Sequence, residues 1–123
     1  MASQGMKAAR ETALEAAKLL HEKKAQDLVL LEVSELTTVA DYFLMVTGTS
    51  DIQVQAMADH LKEQFKKRGY QLLRIEGYRD ARWVLMDYGY LLVHVFQPEE
   101  RDFYNLERLW HEAVRVEEAG SVS

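Results

Sequence analysis

The chain contains no cysteine, which excludes disulfides, thiol nucleophiles, cysteine-based zinc sites and iron–sulfur clusters, and fits a reducing compartment. It has one proline and six glycines, and no repeat, low-complexity tract or linker divides it. No stretch approaches the ~18 consecutive apolar residues of a membrane span. The first seven residues lead into no apolar signal core. The expectation is a cytoplasmic protein that does not enter a membrane. Positive charge is also scarce: 15 Lys and Arg stand against 20 Asp and Glu, a net charge of −5. Nucleic-acid phosphates demand clustered cations, so little direct nucleic-acid binding is expected and a basic partner suits the chain better. The one dense basic run, residues 62–68, also holds Glu63, Gln64 and Phe65 and reads as the solvated face of a helix.

What is present is enough for one domain. A chain of 123 residues buries roughly two-thirds of its unfolded surface without a metal or disulfide staple. The expected organisation is a disordered start over residues 1–5, a domain over 6–116 and a frayed tail over 117–123. Ala9, Ala13, Ala16, Ala17 and Leu20 form a helical stripe over about residues 6–23. Strands are expected at 28–33, 42–47 and 71–75. Between the last two, Ser50 and Gln53 stand at capping-box spacing and Gly69 follows the end, framing a helix buried through Val54, Met57, Ala58, Leu61 and Phe65. Strand–helix–strand there implies a parallel crossover. After Pro98 the spacing of Phe103, Leu106, Leu109, Trp110 and Ala113 predicts a further helix. The fold class is α/β: a mixed sheet of about five strands flanked by helices.

Residues 83–96 read as a hairpin folded about Asp87-Tyr88-Gly89, apolar on both parities as in strands covered on both faces. Trp83, Tyr88 and Tyr90 lie near its ends and turn. Amphipathic aromatics there either complete a core rim or anchor a partner.

No residue set carries catalysis. Gly48-Thr49-Ser50 between strand and helix resembles the phosphate-facing turn of nucleotidyltransferases. Such enzymes also need two carboxylates for Mg²⁺ on the next strand, and Arg74-Ile75-Glu76 offers one. An ordinary capped turn fits better. His94 sits inside an apolar strand and reads as a hydrogen-bonded structural histidine. His21, His60 and His111 have no second ligand at metal spacing. No metal, cofactor or catalytic residue is expected.

Ala40-Asp41-Tyr42-Phe43, Thr47-Gly48-Thr49-Ser50-Asp51, Glu76-Gly77, Trp83-Val84-Leu85-Met86-Asp87-Tyr88-Gly89, Val93-His94-Val95-Phe96 and Arg101-Asp102-Phe103-Tyr104-Asn105-Leu106-Glu107-Arg108-Leu109-Trp110 occur in this order. The set resembles the ribosomal silencing factor family, also called RsfS or Iojap-like proteins, over about residues 8–113. Tyr90 and Gln97 depart from the family pattern. The resemblance implies a nucleotidyltransferase-like fold without catalytic acids that binds the large ribosomal subunit through protein uL14. There it blocks the small subunit and represses translation under nutrient limitation. The missing N-terminal extension points to a bacterial member, and the family includes homodimers. The candidate partner-binding residues are Glu76, Trp83, Leu85, Asp87, Tyr88, Arg101, Tyr104, Glu107 and Trp110. Two alternatives remain: a metal-dependent nucleotidyltransferase using acids from Asp41, Glu76 and Asp87, and a homodimeric module using the same aromatic surface.

Overall fold

The computed structural model describes residues 2–116; the expected tail lies outside them. The alanine stripe forms α1 (Ala2–Glu22), which starts ahead of the expected Met6. Ala13, Ala16, Ala17 and Leu20 are fully buried, and their small side chains let the helix lie close against the sheet. Strand β1 (Gln26–Glu32) and strand β2 (Tyr42–Thr47) pair antiparallel. Helix α2 (Asp51–Lys67) begins where Ser50 Oγ accepts the Gln53 N–H at 3.1 Å. The Gln53 side-chain oxygen, Oε1, reaches back to accept the Thr49 N–H at 2.7 Å instead of that of Ser50. The expected apolar face of α2 is buried throughout.

The chain continues through β3 (Arg74–Glu76), β4 (Trp83–Asp87), β5 (Leu91–Phe96), α3 (Pro98–Tyr104), α4 (Leu106–Leu109) and β6 (Val114–Arg115). One mixed sheet results, ordered β3-β4-β5-β2-β1-β6. It has six strands because Val114–Arg115, too short to show a period, pairs with β1. The crossover through α2 returns β3 in the direction of β2, but at the far edge, with β5 and β4 between them. The parallel neighbours are β2 and β5.

Every residue of β2 and β5 is buried. On one face Leu44, Val46, Val93, Val95, Val84 and Met86 pack under α1 and α2. On the other, Phe43, Met45, Leu92 and Phe96 meet Trp83, Leu85, Leu106 and Trp110. The hairpin is not symmetric, however. β4 alternates, with Val84 and Met86 buried and Trp83, Leu85 and Asp87 half-buried, because nothing fully covers its second face. Both sheet edges are short, and β3 carries Arg74 and Glu76, which discourages pairing with another chain.

Two expectations are corrected. Tyr88 is a core residue, only 4% exposed, and packs edge-on against Phe65 of α2 at 5.0 Å. Its position in the turn points the ring inward, so it offers no contact surface. The helix expected after Pro98 is broken at Asn105, whose left-handed φ of 46° ends α3 and starts α4. The stripe therefore splits. Leu106 and Trp110 pack inward, whereas Phe103 is 78% and Leu109 70% exposed.

Gly77 joins β3 to the loop before β4 with φ at 79°, and a Cβ there would lie 2.2 Å from the Trp83 carbonyl oxygen. Backbone cannot yield cheaply. Gly69 shares the positive φ but has open space around it. Gly77→Ala should cost more than the ~1–3 kcal/mol of left-handed strain alone, and Gly69→Ala should stay within that range. Urea unfolding of the two variants measures the difference.

Candidate functional site

Strand pairing places the candidate residues in rows across the second face of the sheet. Arg74, Asp87, Leu92, Phe43 and Leu31 form one row, and Glu76, Leu85, His94, Met45 and Val29 the next. Trp83, Phe96 and Thr47 form a third. Glu76, Trp83, Leu85 and Asp87 thus share one face by strand parity. Arg101, Tyr104, Glu107 and Trp110 lie on the α3–α4 segment that crosses the same face. All the candidates except Tyr88 converge there.

Arg101 fixes that segment. Its guanidinium is buried and donates from Nη1 to Thr47 Oγ1 at 2.8 Å. It also grips Glu107 through both carboxylate oxygens, at 3.0 and 3.1 Å. This forked pair spans the Asn105 break and ties both short helices to the end of β2. Arg101 and Glu107 are therefore occupied with each other and act as supports. Trp110 is half-buried against Phe43, ring centroids 5.1 Å apart.

The exposed part of the face is aromatic. Trp83 stacks on buried Phe96 at 5.0 Å and meets Tyr104 at 4.7 Å, and Tyr104 is 50% exposed. Trp83 Nε1–H donates to His94 Nδ1 at 3.1 Å. Indole is only a donor, so the neutral imidazole carries its proton on Nε2, which is buried without a hydrogen-bond partner. A charged imidazole would turn an N–H toward the indole N–H. Burial pulls the His94 pKa down to about 4.

The acids beside this rim are paired. Arg74 holds Glu76 at 3.0 Å and reaches Asp87 at 3.9 Å, bridging the two carboxylates that a metal would need. Asp87 also accepts the Gly89 N–H at 2.8 Å. Among the described residues no group of three His, Asp or Glu side chains is placed to hold a metal ion. Asp41 precedes β2, and its backbone N–H donates to the Tyr90 carbonyl at 2.8 Å. At the Gly48-Thr49-Ser50 turn, the Gly48 and Thr49 N–H groups already donate to Phe96 O and Gln53 Oε1. Gly48 serves packing: a Cβ would fall 2.5 Å from Met57 Cε.

The family model described as ribosomal silencing factor during starvation matches residues 6–123. The chain belongs to the ribosomal silencing factor family. A relative from Bacillus subtilis named Ribosomal silencing factor RsfS is 47% identical over 98 residues, covering 80% of this chain and 83% of the relative. A mouse relative named Mitochondrial assembly of ribosomal large subunit protein 1 is 33% identical over 95 residues, 75% of this chain and 42% of its own length. A crystal structure of a Bacillus halodurans protein superposes with a TM-score of 0.78 at 42% identity, covering 88% of this chain and 98% of that one. In this ribosomal silencing factor fold, what sequence periodicity missed is the outward placement of Phe103 and Leu109. The signal was Asn105, the residue type next most tolerant of left-handed backbone after glycine.

Two tests follow from this geometry. Glu107→Ala strands a buried guanidinium and should cost about 3 kcal/mol, whereas Arg101→Met leaves a carboxylate that is 38% exposed and can rehydrate, so it should cost less. Reversible urea melts rank the two. The second concerns pH. Unfolded imidazole takes its proton near 6.5 and native His94 near 4, so between those values the unfolded chain binds more protons. Stability should therefore fall by up to about 3 kcal/mol as pH drops from 6.5 to 4, and no further from this group below 4. His94→Phe should remove that component from the pH series of the wild type.

Proposed function

We propose that this chain acts as a ribosomal silencing factor: it binds the large ribosomal subunit through protein uL14, blocks association with the small subunit, and so represses translation under nutrient limitation. The match of the family model over residues 6–123 carries this reading. The names of the bacterial and mouse relatives support its ribosomal and large-subunit direction. The contact face is the second face of the sheet where α3–α4 leaves it open. Trp83, Leu85 and Tyr104 supply apolar area, and Glu76 and Asp87 supply the acid charge that guides approach to a basic protein. Arg101, Glu107 and Trp110 hold that face in place. Contact is with protein more than with nucleic acid, in the cytoplasm.

The role requires no catalysis, metal or cofactor. The Arg74 bridge between Glu76 and Asp87, and the occupied N–H groups at Gly48 and Thr49, speak against nucleotidyl transfer. A homodimer of the free protein would use either this face, in competition with the ribosome, or a second one.

The test is co-sedimentation with purified large subunits, small subunits and whole ribosomes. Recovery should be selective for the large subunit, and the bound factor should inhibit subunit joining. Tyr104→Ala should weaken binding by about 1–4 kcal/mol without lowering the melting temperature, since its ring is half open. Glu76→Lys should slow association and alter its salt dependence. Equal binding to both subunits would sink the reading, as would steady nucleotide turnover abolished by Glu76→Gln in a folded variant.

A further inference from the structure

The break at Asn105 leaves two large apolar side chains mostly open to solvent. Phe103 stands just before the last residue of α3 and Leu109 ends α4, and both line a groove of about 600 Å³ with Asp102, Tyr104, Arg108 and His111. Phe103 also completes a chain of rings that runs from the core to solvent. Phe96 is 1% exposed and stacks on Trp83, Trp83 meets Tyr104, and Tyr104 meets Phe103 edge-on at 5.0 Å. Exposure rises along this series to 78% at Phe103. An aromatic held by rings that are themselves anchored in the core loses little side-chain entropy on binding, which suits it to a hot spot.

The surroundings of the groove state the occupant's charge. Residues 98–112 hold Glu99, Glu100, Asp102, Glu107 and Glu112 against Arg101 and Arg108. Arg101 and Glu107 neutralise each other inside the fold, and Arg82 pairs with Glu99 and Glu100, so Glu99, Glu100, Asp102 and Glu112 stand against Arg82 and Arg108 and the region keeps an excess of acid. A contact with a second copy would set this excess of acid against itself, which like-charge repulsion penalises. A basic protein surface with an apolar recess meets both the charge and the exposed rings.

We propose that Phe103 and Leu109 are a second pair of apolar anchors, extending the Trp83–Tyr104 rim across the Asn105 bend and docking into such a surface on the large subunit. This inference rests on the proposed large-subunit reading and adds residues and partner chemistry to it. Both side chains are exposed, so replacing them tests binding without dismantling the core.

The experiment compares affinity for purified large subunits, thermal midpoint and oligomeric state among wild type, the double variant Phe103→Ser, Leu109→Ser, the variant Asp102→Lys, and Ile52→Ser. Ile52 is 80% exposed at the start of α2, away from this groove, and controls for the loss of any exposed apolar side chain. The double variant should lose at least about tenfold in affinity at an unchanged midpoint. Asp102→Lys should weaken binding most at low salt, and Ile52→Ser should match wild type. Wild-type affinity in the double variant, with Tyr104→Ala still weakened, would overturn the anchors while leaving the large-subunit reading intact. Failure of the wild type to bind would remove both. Three other results would also overturn the proposal: tighter binding by Asp102→Lys, an equal loss in Ile52→Ser, or a wild-type dimer that the double variant converts to monomer with subunit affinity unchanged.

Discussion

The parallel pairing of Tyr42–Thr47 with Leu91–Phe96 buries every side chain of both strands, so the sheet must be covered twice. A chain of this size has two long helices available, and both go to one face. Ala13, Ala16 and Ala17 bring α1 close there, while Val54, Met57, Leu61 and Phe65 fill the space beneath α2. The second face is left to two helices of seven and four residues. They cover β2 and part of β5 and reach β4 only where Tyr104 meets Trp83. The aromatic rim is the part of a two-sided sheet that this cover does not reach.

So small a cover cannot be held by apolar burial alone. Arg101 supplies the missing constraint by reaching a hydroxyl on β2 and a carboxylate beyond the bend with one planar group. A buried ion pair contributes little net stability once desolvation is counted, and its better-attested value is in fixing a register. Here the register concerns which side chains of α3–α4 face inward. Without the latch, Leu106 and Phe103 would compete for the same inward position.

How much of this was legible in the sequence depended on the range of the interaction responsible. Helix α2 was readable to its buried face because its cap, period and terminal glycine are all local. The shared face of Trp83, Leu85 and Asp87 follows from strand parity, whereas Glu76 was expected beyond its strand and joins that face through the β3–β4 register. Tyr88 was not readable, since turn position does not state which way a ring points, and Phe65 that receives it lies far away in sequence. The α3–α4 bend was missed because apolar spacing assumes one continuous helix. Asn105 interrupts it with a single dihedral. The contact that seats the bend spans 54 positions, from Thr47 to Arg101, and no local pattern reports it.

The short sheet edges, three residues at β3 and two at β6, have a consequence for how recognition can change over time. Pairing along a strand edge is carried by main-chain groups that every sequence possesses, so it persists through mutation and tolerates foreign partners. Short edges disfavour that route, and in the proposed large-subunit reading recognition rests on side chains of a face. Each contact is then open to substitution. A factor and its binding site drifting together in one lineage would lose fit with the counterparts of another, while the backbone beneath stayed the same.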